Sequence, residues 1–541
     1  MKLCLFLLSL SQVVSSISTK KNSPVTVVLP DTSRIVGAVD EISDSVLAFR
    51  GIPFAVPPVG DLRFRSPQKY VPTPNQSIDA SEFGNICMQN GDIPCSEDCL
   101  FLNVFSNVKQ TKPLVPVAIW VYGGSYVNGA SDLYPGGEFI DYTNGEMILI
   151  TLNYRLNVFG FLGGEELRQL NDDKSTGNAG IQDQRLAFQW VQDNIAAFGG
   201  DPNQVTIFGE SAGAGSMSSH LTMQKSFGLY NQVILESGTA SQWTAQPMEV
   251  TQNIFEQVKA GVGCADVQCL TTTKAEDFLT LTLTPVGNYI GFGPTADGVE
   301  VSSQINIASS TTKLTHHTQL DTHPWIKFKN GEGNDVKILH GTNTDEGRSF
   351  VPLQPNATEA DLLQLWSAVG GFTDDDLANL HKIYVDNPEE PYPEVEGYSV
   401  FFWGGMRSYG DISFSCPAKF VSQTLSDDEN HKSDIFTYHF EHHKNNEDFV
   451  VHASEIEYVF HAPMIRSADS KVGDYMTESW KNFIVGGNPG EEWKTYDSVN
   501  DELLRISLNS GEENVIKSGL KLDACNLLIP AIDRTLEEDF A

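Results

Sequence analysis

VTIFGESAGAG, residues 205–215, runs four apolar or β-branched residues, Val205 to Phe208, straight into a serine set between glycines. The segment after that serine, AGAGSMSSHLTM, is compatible with a helix. A serine at a strand-to-helix turn projects its Oγ from a sharp, strained backbone, and small flanking residues make room for that turn. The same turn places the N–H of Ala212 at the start of a helix, where developing negative charge is favoured. G-x-S-x-G on its own arises often by chance, so the strand before it and the helix after it carry the weight. On that basis Ser211 is the candidate nucleophile.

The surrounding chain supports a sheet with helical crossovers. VPVAIWVYGG and EMILITLNYRL are continuous apolar runs of the kind buried on both faces of a parallel sheet. NAGIQDQRLAFQWVQDNIAAFGG spaces Ile181, Leu186, Phe188, Val191 and Ile195 near helical periodicity, with Gly199 as the C-terminal stop. NQVTIF follows at once and GLYNQVILESG supplies a further strand. This alternation predicts an α/β fold built on a large, mostly parallel, doubly wound sheet. Residues 250–330 and 355–430 read as helical cap insertions rather than separate domains.

An activated serine needs a base, an acid that orients the base, and donors for an oxyanion. In this kind of sheet the expected chain order is Ser, then Asp or Glu, then His. AIWVYGGSYVNGA offers a glycine loop after an earlier strand, at Gly123, Gly124 and Ser125.

With these pieces in place the chain resembles the type-B carboxylesterase/lipase family, which contains the cholinesterases, and within it the fungal secreted branch. FGGDPNQVTIFGESAG (198–213) matches the family's serine signature and EDCLFLNVF (97–105) its cysteine signature. FRGIPFAVPPVGDLRF, NYRLNVFGFL and NAGIQDQRLAFQWVQDNIAAFGGDP are further family blocks. The likeness covers nearly the whole mature chain and is strongest from 45 to 240. It implies the α/β-hydrolase fold, hydrolysis of carboxylic esters through an acyl-enzyme, and no metal or organic cofactor. The family's acid lies in a segment like GTNTDEGRSF, which places it at Glu346; from the residues alone Asp345 is an equal candidate. The family's histidine lies in a segment like HASEIEYVFH, which places it at His452. The oxyanion donors map to Gly124, Ser125 and Ala212, with serine standing where the family has a third glycine. That change keeps the N–H but narrows φ freedom and the room beside the carbonyl.

Of the twelve histidines, His316, His317, His442 and His443 read as solvated or locally bonded. His439 and His443 have i, i+4 spacing, but FTYHF reads as a strand, against a metal site. Trp243, Tyr289 and Phe292 are candidates for the wall of an acyl pocket, with core packing the equal alternative. The cholinesterases carry a tryptophan before EDCL for a quaternary ammonium; NICMQNGDIPCS has none.

Thirty-five basic against seventy acidic residues give a formal charge of −35, which argues against nucleic acid or an anionic membrane as partner. A small-molecule or lipid ester is the expected partner. The opening MKLCLFLLSLSQVVSSISTKK has a lysine, a short apolar run and small residues, the pattern of a secretory signal over residues 1–18. Residues 19–541 then form one domain, and no later run is long enough to span a bilayer. Asn75 in NQS and Asn356 in NAT are glycosylation acceptors. Without Cys4, seven cysteines remain, and an oxidising compartment leaves one unpaired. The family pattern pairs Cys87 with Cys99 and Cys416 with Cys525, and GVGCADVQCL suggests Cys264 with Cys269. Cys95 is then the free thiol, unless it displaces its neighbours Cys87 or Cys99. Two other readings stay open: a lipase acting on triglycerides, and an inactive binding module on the same fold.

Overall fold

The apolar runs lie at the centre of the computed structural model of the protein, which describes residues 24–299, 323–444, 449–507 and 514–540, apart from 92, 290, 390, 464 and 466–468. The candidate signal, residues 1–18, lies outside the described residues, as do His316 and His317. Every residue of Val115–Val121 and of Ile148–Leu152 is buried. A strand with no polar face fits only where helices cover both sides of the sheet.

The thirteen-stranded sheet is mixed. From Ile148–Leu152 the order runs through Val115–Val121, Gly200–Glu210, Gln232–Glu236, Lys337–Asn343 and Ile435–Phe440 to Glu502–Ile506, each pair parallel. The expectation of a mostly parallel sheet holds for this block. Its flank is different: Pro24–Val28, Arg34–Val39, Val46–Pro53 and Phe101–Asn107 pair antiparallel, as does the last strand, Val515–Ser518. Short connections suffice between antiparallel neighbours, whereas parallel ones need crossovers. The helix Ala179–Asn194 is one such crossover; a tighter turn, Ile195–Phe198, continues it to Gly199 at φ 84°.

Chain order reverses where Ile148–Leu152 lies between Phe101–Asn107 and Val115–Val121. In open α/β sheets ligands bind near such a reversal, at the carboxyl ends of the strands. Four loops converge there, following Val121, Glu210, Asn343 and Phe440. The helix Ala212–Thr222 that leaves one of them is buried along its whole length. The glycines flanking Ser211 answer to one atom, the Val121 carbonyl oxygen. A Cβ at Gly209 would lie 2.4 Å from it, and one at Gly213 2.0 Å.

The described parts of the insertions are helical. Met248–Gly261, Val267–Thr272 and Ala275–Leu279 build an apolar cluster with Phe64 and Phe159. Glu359–Val369, Asp374–His381, Val400–Gly410 and Cys416–Asp427 lie in the second insertion. Disulfides join Cys87 to Cys99, Cys264 to Cys269 and Cys416 to Cys525, and Cys95 keeps a free thiol. No described helix is long and apolar enough to cross a membrane. Asn75 and Asn356 are both exposed.

Candidate active site

Strand Gly200–Glu210 ends on Ser211, whose backbone sits at φ 56°, ψ −122° before the helix Ala212–Thr222 begins. A non-glycine residue there costs of order 1–3 kcal/mol and persists only if its surroundings hold it. Ser211 N donates to Glu236 O at 2.9 Å, and Gly215 N donates to Ser211 O at 2.8 Å. Both ends of the residue are therefore fixed while Oγ is left without a hydrogen bond to His452.

Glu346 opens a short turn after Lys337–Asn343, and His452 lies on the loop after Ile435–Phe440. The two loops are stitched together. Asp345 N donates to Val450 O and Val450 N to Asp345 Oδ2, each at 2.8 Å. Asn343 Nδ2 donates to Val451 O at 3.0 Å. This brings Glu346 Oε2 within 2.6 Å of His452 Nδ1. Glu346 Oε1 accepts from Asn343 N at 2.7 Å. Asp345, the other candidate acid, is turned away and paired with Arg407 Nε at 2.8 Å.

The other imidazole nitrogen has a partner the sequence reading did not name. His452 Nε2 lies 2.9 Å from Glu210 Oε1, a charge contact off the line of a good hydrogen bond. Burial disfavours the imidazolium, but the carboxylates of Glu210 and Glu346 outweigh it and raise the His452 pKa well above the usual value. Glu210, Glu236, Glu346 and Glu455 are all buried around this histidine. Burial, reinforced by the Glu210 and Glu346 charges, pushes Glu455 up to about 8. Its two oxygens accept from Ser237 Oγ and Asn343 Nδ2. Glu210 was in plain view as the first x of G-x-S-x-G, and Glu455 lies three residues after His452. Nothing local marks either as buried.

Gly124 at φ 104° and Ser125 at φ 54° turn the glycine loop. Among the described residues no protein acceptor takes the N–H of Gly124, Ser125 or Ala212. The Ser125 side chain is exposed, so it can stand where a third glycine would, at the expense of a left-handed backbone. Phe414 and Phe350 pack on the His452 ring at 4.7 and 4.9 Å. Trp243 is half-buried against Phe414, 5.9 Å between ring centroids, which keeps it at the site. Tyr289 is held elsewhere, its hydroxyl donating to Asp539 Oδ2 at 2.9 Å within the second apolar cluster; core packing accounts for it. Phe292 packs against both apolar clusters. His442 is buried, bonded to Ser507 O and Asp469, and His439 lies between Thr342 and Thr344.

A model of the carboxylesterase family matches residues 24–528. The chain is 30% identical over 561 residues to a cholinesterase of Mus musculus, covering 92% of this chain and 85% of that protein. It is 29% identical over 569 residues to an acetylcholinesterase of Electrophorus electricus, covering 89% and 84%. Among solved structures, a PNB esterase superposes with a TM-score of 0.73 at 26% identity, over 93% of this chain and 99% of that one. The fold is thus the α/β-hydrolase fold of the carboxylesterases. With a Glu–His pair beside a serine in a strained strand-to-helix turn, the chain belongs to the carboxylesterase family and is a carboxylic ester hydrolase.

Proposed function

We propose that the protein is a secreted serine esterase that cleaves carboxylic esters through an acyl-enzyme formed on Ser211. The observation that carries this reading is the 2.6 Å contact between Glu346 Oε2 and His452 Nδ1 beside Ser211. His452 Nε2 takes the Ser211 proton as Oγ bonds to the ester carbonyl carbon. The carbonyl electron pair moves to oxygen, and the N–H groups of Gly124, Ser125 and Ala212 receive that oxyanion. His452 then gives its proton to the departing alcohol oxygen, and water repeats the sequence in reverse to free the acid and Ser211. Nε2 must leave its contact with Glu210 for this. Secretion is supported by residues 1–18, the disulfides and the exposed acceptors Asn75 and Asn356. The fungal branch is a placement that rests on the sequence blocks.

Short soluble esters are the proposed substrates, ahead of triglycerides. Residues 87–99 are too few for a flap that seals the site: a chain spans at most about 3.3–3.6 Å per residue and this one must return. Its first three residues are also buried in the body of the protein. That segment holds no aromatic residue to meet a quaternary ammonium, so it offers choline esters no cation–π contact of its own. p-Nitrophenyl esters of rising chain length, run beside a triglyceride emulsion, test this. Saturation kinetics on dissolved short-chain esters, with no jump at the solubility limit, are expected. A sharp rise at the oil–water interface with little activity on dissolved esters would favour the lipase. No activity on any ester would favour the inactive binding module.

The two carboxylates on His452 predict a pH effect. A base must be neutral to accept a proton, so activity rises with pH as the imidazolium titrates. Glu210→Gln removes one charge that raises this pKa, so the acid limb of kcat/KM should move to lower pH. An unmoved or alkaline-shifted limb would show that Glu210 does not set the His452 charge.

A further inference from the structure

The loop closed by the first disulfide is half buried and half exposed. Cys87, Met88 and Gln89 are inside, whereas Asn90, Gly91, Ile93 and Pro94 face solvent. The buried part grips the loop that carries Gly124 and Ser125. Gln89 Nε2 donates to Gly129 O at 2.8 Å, and Gly129 N donates to Gln89 Oε1 at 3.0 Å. The same Nε2 donates to Cys87 O at 3.0 Å, which fixes the amide to its own segment. One residue earlier, Met88 O accepts from Asn157 Nδ2 at 2.8 Å, and Asn157 N donates to Tyr126 O at 2.7 Å.

The other end of that loop rests on the serine. A Cβ at Gly123 would lie 2.8 Å from Ser211 Cβ and 2.6 Å from Glu210 O. Between the two ends Ser125 and Tyr126 hold left-handed backbones, φ 54° and 61°. Residues that large leave this region unless the surroundings over-determine it. At Gly129 the loop packs closely on its own start, where a Cβ would lie 2.4 Å from the Tyr122 ring. The Gln89 amide ties the Gly129 end of the loop through both of its backbone groups. A side-chain amide matches a backbone N–H and C=O together, donating and accepting in one plane.

We propose that Gln89, anchored beside the Cys87–Cys99 disulfide, is a positioning residue that holds loop 123–129 so that the Gly124 and Ser125 N–H groups meet the oxyanion. The proposal rests on the serine-esterase reading. It gives the disulfide loop the part of a strut under the oxyanion loop in place of a lid over the site.

The test compares Gln89→Met, close in size but unable to make either bond, with Gln89→Glu, which keeps only the acceptor. Gln232→Ala serves as control; it removes side-chain bonds to Thr206, Phe483 O and Ile484 O away from the site. In the full-length protein, kcat and KM are measured on a soluble p-nitrophenyl ester. Affinity is measured for a trifluoromethyl ketone, whose serine adduct carries an oxyanion, and circular dichroism gives the folded fraction. Gln89→Met should lose about 10- to 100-fold in kcat with KM within about threefold. Trifluoromethyl ketone affinity should fall by the same factor, Gln89→Glu should lie between, and Gln232→Ala should change neither. Unchanged kcat and inhibitor affinity in Gln89→Met would overturn the proposal. So would losses that follow the folded fraction alike in all three variants. If Gln89→Met does not fold, Gln89→Glu carries the same comparison. Parent activity that survives Ser211→Ala would overturn the serine reading itself; parent activity lost in Ser211→Ala but kept in Gln89→Met would overturn only this inference.

Discussion

Ser211→Ala is expected to reduce kcat on a soluble ester by about a millionfold and to leave the melting temperature within about 2 °C. The first half comes from chemistry: alanine has no atom that can bond to the carbonyl carbon. The second half comes from what Oγ does in the fold. The bonds that hold Ser211 are made by its backbone, to Glu236 O and from Gly215 N, and alanine keeps both. Alanine also keeps the left-handed strain at φ 56°, so the variant neither gains nor loses on that account. Stopped assays on purified protein beside a thermal melt check both halves. Activity within a hundredfold of the parent would remove Ser211 from the chemistry, and a melt lowered by tens of degrees would make it a structural residue instead.

What could be read from the sequence was what short-range sterics and periodicity control. The glycines around Ser211 were legible as a tight turn, and the structure identifies the atom that demands them, Val121 O. The all-apolar strands and the helix ending at Gly199 were legible because each carries its period within a dozen residues. The antiparallel flank was not: Pro24–Val28 alternates exposed and half-buried residues and has no buried one to mark it. The choice between Asp345 and Glu346 was closed to local reading because neighbours in sequence differ only in where distant partners stand. Arg407 claims one and His452 the other. The buried acids were hidden for the same reason. Glu236 is held by Trp480, 244 positions away, and a carboxylate with such a partner looks on paper like any solvated one. Gln89 meets Gly129 forty positions on, and nothing within NICMQ announces that contact.

Glu346→Gln is expected to lower kcat by about 10⁴-fold, and the direction of its amide decides why. Asn343 N donates to the Oε1 position, so a glutamine there must keep its oxygen on that side to accept the bond. Its NH₂ is then left at the Oε2 position, facing His452 Nδ1, which sits 2.6 Å from Oε2 in the parent. A donor facing Nδ1 forces that nitrogen to accept and moves the imidazole proton to Nε2. There Glu210 Oε1, 2.9 Å away, welcomes it. The nitrogen that must take the Ser211 proton is thereby occupied, and the acid that helped raise the histidine pKa now secures the wrong tautomer. Asp345→Asn, one residue earlier, should behave oppositely. Asparagine can still accept from Val450 N, but the Arg407 pair loses its charge. The cost should therefore appear as about 1–3 kcal/mol of stability, read by urea unfolding, with kcat within about tenfold of the parent. Equal losses of kcat in the two variants would mean that the 345–346 turn acts as a unit and that Glu346 is not the acid that orients His452. A full loss in Glu346→Gln restored by the further change Glu210→Gln would instead locate the damage in the trapped proton.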